Sequence, residues 1–160
     1  MTDVPANKLI KDVLDGLLGK EVSISPSPQT LSSTDTVGSM LATYNDDDGM
    51  LRAVAGWSLE AGAYVGAALG LVPPANVATM LSERFLNADI SENLGEVCNV
   101  LSSTLEQQNH EHMRLRQIYC PANTCPSPLA NLLYNDANRV DLTVEVPGYG
   151  TGVLAIVACN

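Results

Sequence analysis

Apolar residues Leu9, Ile10, Val13, Leu14, Leu17 and Leu18 recur three and four residues apart. That spacing lines one face of a helix, which opens after Pro5 and stops at Gly19. Val22 and Ile24 then alternate with polar neighbours, the period of a strand. Residues 25–34 are rich in Pro and Ser and predict a loop. Two apolar runs, 36–44 and 50–57, flank Asn45-Asp46-Asp47-Asp48-Gly49 and predict a hairpin with a polar turn. Leu59 to Leu71 is apolar nearly all round, a buried helix stopped by Pro73-Pro74. Its Gly62, Gly66 and Gly70 fall one turn apart and would let another backbone approach closely. A short helix near 74–84 and a long one from 88 to 107 follow. Residues 113–120 alternate and read as a strand. Residues 121–138 carry three prolines and Asn-rich turns and predict a long irregular loop. A second hairpin, 139–146 with 152–159, closes around Pro147-Gly148-Tyr149-Gly150-Thr151.

This order segregates hairpins from helices and lacks the regular βαβ alternation of a parallel sheet. It predicts an α+β fold in one domain over 1–160: a mostly antiparallel sheet of about six strands with the long helices packed on one face. The exposed hairpins leave sheet edges through which two chains could pair as a homodimer.

Composition narrows the partners. Hydrophobic residues make up 46% of the chain, enough to fill a core. Lys and Arg number 8 against 18 Asp and Glu, a net charge of -10. Nucleic acid and anionic membrane both need a basic surface, so neither is an expected partner. No apolar run reaches the roughly 18–20 residues of a membrane span. The opening MTDVPANKLIKDV lacks the basic-then-apolar order of a secretion signal, so a cytoplasmic location is expected. There Cys98, Cys120, Cys125 and Cys159 stay reduced; in an oxidising compartment Cys120 and Cys125 could bridge.

The metal-ligating residue types are sparse. The cysteine spacing fits no zinc pattern. His110-Glu111-His112 lacks the spacing of a helical ligand pair, and the chain has only 2 histidines. Asp46-Asp47-Asp48 lacks EF-hand spacing and reads as a solvated turn. No cofactor of the chain's own is expected.

The long helix is the informative piece. Ile90, Leu94, Val97, Cys98, Leu101 and Leu105 share one face, which makes Cys98 a core residue. Glu92, Glu96, Asn99 and Ser103 share the opposite face. A solvated stripe is the ordinary reading of such a face, and two features argue against it. Asn in a helix interior costs roughly half a kcal/mol relative to Ala. No Lys or Arg lies between Glu92 and Ser103 to pair with the glutamates.

Glu92-xxx-Glu96-xx-Asn99, followed by Pro121, resembles the signature of the CheC/CheX/FliY phosphatases of bacterial chemotaxis. That signature is an acidic residue or serine, then Glu, then Asn at these spacings, and a proline about twenty residues on. Gly49 to Gly70 resembles the strand and helix that precede it, and Gly148-Tyr149-Gly150 to Val157 the closing hairpin. The resemblance spans roughly 8 to 158. With one such helix the chain is more similar to CheX, which has one site, than to CheC, which has two. Glu92 stands where the family more often has Ser or Asp, and Val100-Leu101-Ser102-Ser103 lacks a glycine expected near its end.

The resemblance implies a CheC-like fold and hydrolysis of the aspartyl phosphate of a CheY-type response regulator. It implies that Asn99 orients the attacking water and that Glu96 pairs with the regulator's active-site lysine. Glu92 and Ser103 would border the site as partner-binding or tuning residues. The Mg²⁺ would belong to the phosphorylated partner. The alternative is a non-catalytic CheX-like module that binds a response regulator or dimerises.

Overall fold

In the computed structural model, which describes residues 1–159, the chain opens with α1 (Asn7–Leu18) and β1 (Ser23–Pro26). A hairpin of β2 (Leu41–Asp46) and β3 (Leu51–Trp57) follows. Next come α2 (Leu59–Leu69), α3 (Pro74–Glu83) and the long α4 (Ala88–Asn109). After β4 (Met113–Tyr119) the chain makes a 3-10 turn at Ala122–Thr124 and a further helix, α5 (Ser127–Asn135). The hairpin of β5 (Arg139–Val146) and β6 (Gly150–Ala158) closes the order. The strands form one six-stranded sheet, β1-β5-β6-β3-β2-β4, and its pairings are antiparallel. The expected α+β class and mostly antiparallel sheet are what the structure has.

Alternate residues of the central strands serve two apolar clusters. Ala42, Tyr44, Ala53, Ala55, Trp57, Leu154 and Ile156 face the larger cluster, built with α1, α2, α3 and α4. Leu41, Val54, Ala155 and Val157 face a smaller one with Leu31 and Leu133. Period-two alternation normally puts one face in water. Here both faces are apolar because both are covered.

The cover on the second face corrects one expectation. Residues 121–138 are not a long irregular loop: α5 lies among them and buries Leu133. Its prolines misled the reading. Pro126 is the N-cap and Pro128 sits in the first turn, where a missing backbone N–H costs no helical hydrogen bond. Leu133 packs where β3 carries Gly56, and a Cβ there would collide with the leucine side chain. The first hairpin also begins later than the apolar run suggests, at Leu41 rather than 36. Residues 35–39 instead form turns, with Thr36 buried and the Asp35 carbonyl accepting from the Leu59 N–H at 2.9 Å.

The glycine ridge of α2 acts as packing. A Cβ on Gly66 would meet Ile90 of α4 at 2.7 Å, and one on Gly62 would meet Leu94 at 3.1 Å. α4 therefore lies unusually close to α2.

Candidate functional site: the polar face of α4

Local sequence fixes where α4 starts. The Asn87 side chain caps it by accepting from the Ile90 N–H at 3.0 Å, and Asp89 puts negative charge in the first turn. His110, left-handed at φ 54°, ends the helix with its N–H donating to the Glu106 carbonyl at 2.8 Å.

The core fixes how α4 is rotated. Ile90, Leu94, Val97, Cys98, Leu101 and Leu105 are all buried. Cys98 is the anchor: Tyr44 Oη donates to its carbonyl at 2.7 Å and Trp57 Nε1 to its Sγ at 3.3 Å. On the α2 flank, Asn93 Nδ2 donates to the Gly66 carbonyl at 3.0 Å. Gly95 faces β4, where a Cβ would meet Ile118 at 3.2 Å. Burial pushes the Cys98 thiol up to about 12, so it is a core group and no nucleophile.

With that register, Glu92, Glu96 and Asn99 all point to solvent. The structure thus brings these three together in one open row. None of their side chains is held by a hydrogen bond or ion pair to another described residue. Ser103 shares the row but is half-buried, and its hydroxyl donates to the Val100 carbonyl at 2.8 Å. Ser102 does the same to the Asn99 carbonyl at 2.7 Å. Both serines spend their protons on the helix backbone. Pro121 follows β4 through a cis peptide bond and lines a cleft beside the start of α4.

Exposed and unpaired, the row offers two carboxylates that want a cation and one neutral amide that can both accept and donate.

Sequence reasoning missed the roles of the acidic hairpin tip. Asp46 is buried, not solvated: its Oδ1 accepts from the Asp48 and Met50 N–H groups, both at 2.9 Å, and its Oδ2 from Arg52 Nε at 2.7 Å. The Met50 N–H and the Arg52 guanidinium hold its carboxyl below the usual range. Asp47 bridges to Arg114 at 2.8 Å and to His112 Nδ1 at 2.6 Å, which lowers its carboxyl too. An Asp in a turn can bond the turn's own N–H groups, but three consecutive aspartates do not say which one does so. Among the described residues no cluster of three or more His, Cys, Asp or Glu is placed to hold a metal ion. No described helix is long and apolar enough to cross a membrane.

No protein-family model and no curated protein matches the chain in sequence. Solved structures match it in shape. The CheX–CheY–BeF3–Mg²⁺ complex from Borrelia burgdorferi is similar at a TM-score of 0.53 and 11% identity, over 96% of this chain and 94% of that one. CheX from Vibrio vulnificus matches at 0.55 and 10%, over 95% of each chain. The FliM–SpeE complex from H. pylori matches at 0.65 and 9%, over 95% of this chain and 80% of that one. At these identities the likeness lies in the fold: the chain has the CheC-like fold that CheX, FliY and the FliM middle domain share.

Proposed function

We propose that the chain binds a CheY-type response regulator and hydrolyses its aspartyl phosphate, with Glu96 and Asn99 in the acting roles. One observation carries this: a CheC-like fold holds these residues one turn apart, exposed and unpaired, on a helix whose rotation the core fixes. An acyl phosphate is already activated. Water oxygen attacks phosphorus, the bond from phosphorus to the acyl oxygen breaks, and free carboxylate, inorganic phosphate and a proton leave. Such a step needs a positioned water and charge stabilisation rather than a covalent intermediate. The Asn99 carboxamide accepts a hydrogen from that water without titrating near neutral pH. Glu96 pairs with the regulator's lysine and sets the register of the two proteins. The Mg²⁺ stays with the regulator. A response regulator of this kind places the chain in the cytoplasm.

The second reading is a binding module without turnover. FliM structures with the same fold include a FliM–SpeE and a FliG–FliM complex. Glu92, a second carboxylate one turn before Glu96, also favours docking to a basic rim over phosphate chemistry. The test is loss of radiolabel from a phosphorylated CheY-type protein with and without this chain. Faster loss with the chain supports the phosphatase. Unchanged loss, with the two proteins still co-eluting on gel filtration, leaves the binding module.

A further inference from the structure

Between the loop at 33–38, the turn from α3 to α4 and the segment at 121–134 lies a cleft of about 540 Å³. That volume is within the range of small-molecule sites, roughly 300–1,000 Å³. Its walls are largely apolar, with Val37, Phe85, Ala130 and Tyr134 among them. Val37 is 47% exposed and Phe85 40%, so the cleft holds two of the five large apolar side chains that the described residues leave in water.

The charge of the cleft runs against the rest of the molecule. The chain carries -10, yet no Asp or Glu is among the described residues lining the cleft and one basic residue, Arg84, is. Five of the eight basic side chains are ion-paired: Lys8, Lys11, Arg52, Arg114 and Arg139. Arg84 makes instead one long contact, from Nη2 to the Thr34 carbonyl at 3.4 Å. The guanidinium has five N–H donors in a fork that fits a carboxylate or sulfonate. Of the other polar groups of the wall, Thr36 and Tyr134 share a hydroxyl–hydroxyl bond of 2.7 Å.

The walls are also held in place. Arg84 ends α3 in the left-handed region, its N–H donating to the Met80 carbonyl. Gly38, at φ +78°, lies against it so closely that a Cβ there would collide with the Arg84 carbonyl. The loop at 33–38 and the α3–α4 turn are therefore fitted to each other before any ligand arrives.

We propose that this cleft binds a small organic anion, whose apolar body covers Val37 and Phe85 and whose acid group pairs with Arg84. The polar row of α4 takes no part in the cleft; Pro121 lines it, but has no role in the proposed binding.

The probe is 8-anilino-1-naphthalenesulfonate, an aromatic anion whose fluorescence rises in an apolar site. With the folded chain it should saturate, and octanoate should displace it while octylammonium does not. Arg84→Gln should weaken it by roughly fivefold or more, the loss of a charge-assisted pair, at an unchanged melting midpoint. Ala130→Trp, which fills the cleft, should abolish it. Equal affinity in Arg84→Gln, equal displacement by octylammonium, or no enhancement with the folded protein overturns the proposal. Displacement by the peptide acetyl-Phe-Glu-amide but not by octanoate overturns it in favour of a partner's segment.

Discussion

Asn99 is one residue beyond Cys98, and the two share one fate: whatever fixes the thiol in the core fixes the amide in water. Replacing Asn99 by Ala removes a helix-disfavouring residue whose side chain makes no hydrogen bond to another described residue, so stability should hold or rise by a few tenths of a kcal/mol. Turnover of a phosphorylated regulator should vanish. Near wild-type turnover with an unchanged melting curve removes Asn99 from the chemistry. Glu92 is the residue where the site departs from its resemblance. Two glutamates one turn apart on an exposed helix repel by a few tenths of a kcal/mol, little for folding. Beside a phosphoryl group a second carboxylate opposes the charge that the transition state must spread. Glu92→Ser should therefore raise turnover with little change in melting temperature. A fall in turnover together with weaker binding would assign Glu92 to docking instead. The exposed face shared by Glu92, Glu96 and Asn99 was legible in the sequence because a helix repeats its face every turn. Asp46 was not, because its meaning lies in backbone N–H groups that carry no letter in a sequence.

At the scale of elements, α4 is positioned by the small residues of α2. A side chain at Gly66 would press on both the side chain and the carbonyl of Ile90, each at 2.7 Å, and the carbonyl cannot turn aside. Gly66→Val should cost about 1–3 kcal/mol, as overpacked cores do, and should lower turnover by tilting α4. Gly16, in the last turn of α1, meets nothing within 4 Å, so Gly16→Ala should instead stabilise by about 0.5–1 kcal/mol. Thermal melts of the two variants read the contrast directly; a matching shift in both removes the close approach as the reason for Gly66. The hairpins, α2 and α4 announce themselves through long, regular patterns and clear stops. α5 does not. It spans nine residues, carries a proline in its first turn, and packs its Leu133 over Gly56, a residue seventy positions or more away in the chain. Local reading has no access to that contact.

For the molecule as a whole, buried proton-bearing groups make stability depend on alkaline pH. Burial raises Cys98 to about 12 and Cys159 to about 11, and pushes the Tyr44 phenol well above its ordinary value. An unfolded chain gives up thiol protons near pH 8.5. Above that pH the unfolded state binds fewer protons than the folded one, so stability falls as pH rises. A fully buried group contributes up to about 1.4 kcal/mol per pH unit across that window. The melting midpoint should drop steadily from pH 8.5 to 11, and less steeply in Cys98→Ala; a flat profile refutes the assignment. The strand order has a different consequence, for the chain as it is made. β6 is the last of the six strands in chain order yet sits inside the sheet, between β5 and β3. Until residues 150–158 leave the ribosome, β3 and β5 are bare edges and the sheet is two unjoined pieces. The nascent chain cannot close this core before β6 is made and must keep those edges covered until then. A chain ending at Gly148 should therefore be recovered in inclusion bodies under conditions where the full chain is soluble.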